Sequence, residues 1–330
     1  MKLILTFILS SFITHAYTLG IYTDEPGGEK AQEVIRELQS TYPFNILDIE
    51  YRVIPQSSDD LDCGFRSSIA RLPTCRSRKQ RRHARRNDID QALIIMDHER
   101  YGGSGGSIPV MTTNSPPTTM VHEYLHTLGL CDEYQYSADE ADTYCPGMDR
   151  RENSAIISPE DSYSSDADAR NEHRRDIMWY QDIASNTPIT NGGSRSLNLG
   201  TGRVGNVSAP VNRTTEPTSV SSPIGLYRGT GCDNASRPIY LWHPGQERNI
   251  MERLGAGLGR ANELIVKRLL IERGAQLKPD FDTVASPNTS SGSAEVINDD
   301  QQKVIDDLNA TEDLIKQFKS KQGASGARKN

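Results

Sequence analysis

Hydrophobic positions cluster between residues 18 and 130 and again between 251 and 275, separated and followed by long polar stretches. Residues 18–23 (TLGIYT) read as a short strand. Residues 29–42 (EKAQEVIRELQSTY) set Val34, Ile35 and Leu38 at helical spacing. Residues 46–54 (ILDIEYRVI) alternate and are β-branched, as a second strand requires. Strand, helix and strand at this spacing predict a βαβ unit with parallel pairing. After a polar insert, residues 92–96 (ALIIM) read as a buried central strand, so an α/β domain is expected.

The segment 101–113 (YGGSGGSIPVMTT) combines glycines that permit close backbone approach with Pro109, which confines an apolar run to a sheet edge. Such an edge, carried by Ser107, Ile108 and Val110, can pair with an extended peptide. Residues 135–250 are irregular and rich in Ser, Asn, Gly, Asp and Pro. Residues 261–275 (ANELIVKRLLIERGA) predict a C-terminal helix stopped by Gly274. Residues 276–293 read as a linker and 294–330 as a helical, low-complexity tail. In that tail Val304, Leu308, Ile315 and Phe318 fall at near-heptad spacing, and it is a candidate for tail-mediated interactions.

Composition narrows the classes. The chain has 330 residues, 37 Lys and Arg against 44 Asp and Glu, and a net charge of −7, which argues against a general nucleic-acid binder. The run RSRKQRRHARR (76–86) holds seven basic residues in eleven; it reads as a solvated surface segment, with an anionic partner or a processing site as alternatives. Lys2, an apolar stretch from Leu3 to Ile13 and a small-residue site at Ala16 give residues 1–16 the layout of a secretory signal peptide. A secreted or periplasmic, envelope-side location follows, with no integral membrane segment after signal removal. In an exported chain the five cysteines read as disulfides, and sequence-local pairing joins Cys63 to Cys75 and Cys131 to Cys145, leaving Cys232 over.

The chemistry lies between Ser115 and Tyr134 (SPPTTMVHEYLHTLGLCDEY). Ser115 is a candidate N-cap and Pro116 fits the first helical position, so a helix should run to about Leu128. His122 and His126, four residues apart, project from one face and can share one Zn²⁺, with Glu123 beside them. Gly129 can take the left-handed conformation that turns the chain back, bringing Asp132 in as third ligand. Two histidines and one carboxylate leave a fourth position for water, the mark of a catalytic site. Five residues of this kind arise by chance in roughly one such chain in a hundred, and with Gly129 and Asp132 in roughly one in twenty thousand.

The pattern His122-Glu123-x-x-His126-x-x-Gly129-x-x-Asp132 resembles the metzincin zinc endopeptidases in their aspartate variant, and HEYLHTLGLCDEY is similar to their IgA-peptidase-like branch. In that branch the spacing before Asp-Glu-Tyr differs by a residue, so Glu133 competes with Asp132; His173 and His243 are further contenders. The resemblance covers roughly residues 18–274, tightly at 119–134 and loosely elsewhere, so 17–275 is expected to form the catalytic domain. It implies a zincin-like α+β fold: a twisted mixed sheet with an edge strand over the cleft, an active-site helix, and an irregular C-terminal subdomain. It also implies a methionine turn beneath the zinc, for which Met251 is favoured over Met178, and weak oxyanion candidates in Tyr134 and Tyr180.

These readings together give an exported zinc endopeptidase acting on a polypeptide substrate, with Glu123 as general base towards the attacking water. The rivals are a secreted binding or adhesion protein with a non-catalytic zinc, and a structural zinc closed by Cys131 or Cys145. Asp161, Asp166 and Asp168 read as a solvated loop, with Ca²⁺ as the alternative.

Overall fold

Strand β1 (Tyr17–Thr23) is buried along its whole length and organises the sheet. Helix α1 (Glu29–Ser40) returns the chain to β2 (Leu47–Pro55), which pairs with β1 in parallel from Tyr17 against Ile49 to Thr23 against Pro55. The helical turn α2 (Ser58–Leu61), the small hairpin β3 (Cys63–Gly64) and β4 (Thr74–Cys75), and helix α3 (Arg78–Arg86) lead to β5 (Gln91–Met96), parallel to β1 on its other side. The computed structural model describes residues 16–65, 72–158, 162–190, 197 and 223–279, which lie in a compact unit spanning residues 1–283. The signal-peptide reading before Ala16 and the 294–330 tail fall outside the described residues.

Beyond β5 the chain forms β6 (Gly103–Ser104) and β7 (Val110–Thr112). The full order is β11-β2-β1-β5-β7-β6, where β11 (Gln276–Leu277) follows the last helix. The four central strands are parallel, and β11 and β6 run antiparallel at the two edges. This corrects the expected edge. Val110 is interior, opposite Ile94 on one side and Ser104 on the other, and Ile108 is buried. The edge beyond β7 is Gly103–Ser104, where the chain folds back through glycines before entering β7 and Ser104 Oγ donates to Pro73 O. The linker boundary also moves: Gln276 and Leu277 pair with β2, and Lys278 N donates to Ile46 O.

Side chains alternate across the sheet as a pleated strand requires. Leu19, Ile21, Leu93, Ile95 and Met111 face α1 and α4 (Pro117–Leu128), whereas Tyr22, Ala92, Ile94 and Val110 face Leu61 and Ala84 of α2 and α3. The basic segment 76–86 is thus mostly a helix held to the sheet by Gln80 and Ala84, with its charges outside. The polar stretch after α4 carries α5 (Ala138–Tyr144), β8 (Ala155–Ile156), α6 (Asp166–Glu172), β9 (Tyr227–Arg228) and β10 (Leu241–His243), the strands forming a small antiparallel sheet. Helix α7 (Arg260–Glu272) ends before Gly274, whose φ of 103° supplies the left-handed stop.

Two disulfides form, Cys63–Cys75 and Cys145–Cys232, and Cys131 is a free thiol. The Cys131–Cys145 pairing is therefore wrong: Cys145 and Cys232 meet in a small core with Met148 and Leu241, assembled by the return of the chain 87 residues later. Among the described residues no helix is long and apolar enough to cross a membrane. Alkylation of the unfolded, unreduced chain should label Cys131 alone; recovery of a Cys131–Cys145 peptide would contradict this pairing. Cys145→Ala should cost about 4 kcal/mol in chemical unfolding, since the bridge closes so long a loop.

Candidate metal centre

Helix α4 carries the first two candidate ligands because one face belongs to the core. Met120, Val121, Tyr124, Leu125 and Leu128 are buried there, which fixes the rotation of the helix and turns His122 and His126 towards the opposite wall. The helix starts one residue later than expected: Pro116 is the N-cap and Pro117 the first helical residue. Ser115 instead ties the loop before β6, its Oγ donating to Gly102 O at 2.9 Å and accepting from Gly102 N at 3.0 Å.

Gly129 ends the helix at φ 105°, a conformation that a side chain would strain. Leu130 N then donates to Leu125 O, and the chain reverses. The reversal brings Asp132 Oδ1 to 3.2 Å from His122 Nε2 and 3.3 Å from His126 Nε2, with the two Nε2 atoms 3.2 Å apart. Ligand atoms held about 2.0–2.1 Å from a tetrahedral ion stand roughly 3.3 Å from each other, so the three atoms mark three corners around one ion. His122, His126 and Asp132 thus form a cluster able to coordinate a metal, and among the described residues no further His, Cys, Asp or Glu joins it.

The ring orientations are fixed from behind. His122 Nδ1 donates to Ile250 O and His126 Nδ1 to Leu130 O, each at 3.0 Å. Holding the proton on Nδ1 leaves the Nε2 lone pair for a cation. Tyr136 O–H donates to Asp132 Oδ2 at 2.9 Å, while Oδ1, buried, accepts no ordinary hydrogen bond. Burial and the Asp132 charge raise the Tyr136 pKa, keeping its phenol a donor. Without a metal, burial opposes charge on both partners, but their pairing prevails. The two imidazoles hold Asp132 far below the usual carboxylate range, and His126 is pushed up to about 9 by Asp132, with Glu123 and Leu130 O helping. The proton that the metal-free site attracts occupies the place a cation would take.

Glu133, the competing ligand, is committed elsewhere. Its Oε1 accepts from Asn153 Nδ2 at 2.8 Å and from Asn262 Nδ2 at 3.3 Å, and its Oε2 from Asn249 Nδ2 at 2.7 Å. Glu133 N also donates to Met251 O at 2.8 Å. One carboxylate therefore ties the ligand loop to the turn at 249–251 that holds His122, and to α7. Met251 is fully buried in that turn, whereas Met178 is 39% exposed.

The remaining candidates separate from the cluster. His173 bonds Tyr163 Oη at 2.5 Å and Asp176, and His243 Nδ1 donates to Asn153 O at 3.1 Å. Tyr134 packs edge-on against Tyr136, and Tyr180 packs against the main core. Asp166 accepts from Ile189 N, Thr190 N and Arg170, and Asp168 from Ser164, while Asp161 lies outside the described residues. Cys145 is oxidised, and burial raises the Cys131 thiol to about 11. Glu123 is buried against the sheet edge: a Cβ at Gly103 would come within 2.5 Å of its Oε1, and one at Gly105 within 2.5 Å of the His126 Cβ. A side chain at 105 would collide with the His126 ring and Cβ, and one at 103 would displace Glu123.

Sequence reasoning missed Tyr136, Asn153, Asn249 and Asn262. Only Tyr136 left a signal, four residues after Asp132; the asparagines come from distant segments. No protein-family model matches the chain, and no curated protein matches it.

Glu133→Ala leaves three buried amide groups short of an acceptor and should lower unfolding free energy by about 3 kcal/mol; stability unchanged in urea titration would contradict the staple. The metal-free chain should also lose stability on alkalinisation. The His126 contribution is complete below its unfolded pKa of 6.5 and lost as pH rises through about 9. Thermal unfolding across that window should show the decline, with metal affinity climbing over the same range; a flat profile would contradict it.

Proposed function

We propose that this chain is an exported zinc-dependent endopeptidase of the metzincin type, cleaving internal peptide bonds with Glu123 as general base. The observation that carries the reading is the set of two imidazoles and one carboxylate converging at 3.2–3.3 Å. Two nitrogens and one oxygen in tetrahedral array suit Zn²⁺, and three protein ligands with no fourth His, Cys, Asp or Glu among the described residues suit catalysis rather than a structural role. His122, His126 and Asp132 would hold the ion. When bound, zinc supplies Lewis-acid polarisation of a carbonyl and acidifies water.

The protein groups do the rest. Glu123 accepts a proton from the attacking water and returns it to the leaving amine. Tyr136 orients Asp132, and the Ile250 and Leu130 carbonyls orient the imidazoles, so little rearrangement is needed on binding. The β6 edge can take an extended peptide as an added strand beside Glu123. The apolar N-terminal run and the disulfides support export.

Glu123→Gln should lower kcat/KM for peptide hydrolysis by roughly a thousandfold while zinc content stays at one per chain. Turnover that persists in this variant would exclude Glu123 as the base, and a chain that takes up no zinc would remove the reading altogether.

A further inference from the structure

We propose that helix α3 is a docking ridge for a linear sulfated polysaccharide, separate from the metal centre. Gln80 and Ala84 face the sheet, and Arg78, Arg82, Arg85 and Arg86 are exposed. At about 100° per residue, Arg78, Arg82 and Arg85 fall within roughly 60° of one another, on the side away from Gln80 and Ala84, and span about 10 Å of helix. These four arginines make no ion pair among the described residues, in a chain whose net charge is −7. Lys79 and Arg76, by contrast, are matched by Asp60 and Asp62. Helix α3 thus concentrates several unmatched positive charges along one side.

The surroundings select the shape of the partner. Exposed carboxylates flank the stripe: Asp59 and Asp60 on one side, Asp88 and Asp90 just past its end. A flat anionic membrane would press against these acids, and α3 offers no exposed apolar side chain to enter it. A single polyanionic strand can follow the ridge and avoid them. Guanidinium forks suit the paired oxygens of sulfate groups, as they suit phosphate and carboxylate. Ala84 packs with Tyr22, Ile94 and Val110, on the face of the sheet opposite α4, so a bound polysaccharide leaves the metal centre accessible.

The test is retention of the purified full chain on heparin at about 0.15 M salt, beside binding to vesicles of phosphatidylglycerol and phosphatidylcholine. R78Q/R82Q/R85Q/R86Q should lower heparin affinity roughly tenfold or more and flatten its salt dependence, because fewer counterions are released. R36Q/R174Q/R175Q/R237Q, which removes the same charge at other exposed arginines, should change affinity less than about twofold. Circular dichroism and unchanged peptide hydrolysis would verify that the first variant is folded. Equal losses in both variants, no retention of the parent chain, or tighter binding to vesicles than to heparin would each overturn the proposal.

Discussion

Three lone pairs are forced together at the heart of this structure. His122 Nε2, His126 Nε2 and Asp132 Oδ1 lie 3.2–3.3 Å apart, with both imidazole protons drawn to the far nitrogens by backbone carbonyls. Acceptors so placed repel one another unless a positive charge stands between them. A proton on His126 answers that demand in part, which is why its pKa climbs to about 9. A divalent cation answers it fully, reaching all three atoms at once. The surrounding fold is best understood as the apparatus that keeps the acceptors from moving apart.

That apparatus draws on distant parts of the chain. Helix α4 gives the two histidines, and the Gly129 reversal gives Asp132. Asn153, the 249–251 turn and α7 all converge on Glu133, so the loop bearing Asp132 and the carbonyl holding His122 are braced by one carboxylate. Because Asn153, Asn249 and Asn262 are buried, the hydrogen bonds made there are shielded from competition by water. The Cys145–Cys232 bridge adds a covalent tie across the same irregular region. Packing behind the site is thus partly polar, and its precision comes from matched donors and acceptors.

What the sequence made legible was local. The parallel pairing of β1 and β2 follows from periodicity within 40 residues, and the His122–His126–Asp132 grouping from one helix and one glycine turn. What it hid depends on chain return. Cys145 prefers Cys232 over its neighbour Cys131, a choice settled by a core that no local pattern encodes. Pro109 suggests an edge strand at Ser107, Ile108 and Val110, yet Pro109 O accepts from Ile94 N within the sheet. The glycines were the better guide: Gly103 and Gly105 abut Glu123 and His126 closely enough that a β-carbon would collide. Glu133 and Asp132 are adjacent in sequence and chemically alike, and only the three asparagine amides distinguish their roles.

The most direct test is X-ray absorption at the zinc edge on the metal-loaded chain. The account predicts four nitrogen or oxygen neighbours at about 2.0 Å, with outer-shell scattering from two imidazoles and one position that exchanges with added ligands. A sulfur neighbour at about 2.3 Å, or a closed shell with no exchangeable position, would contradict it.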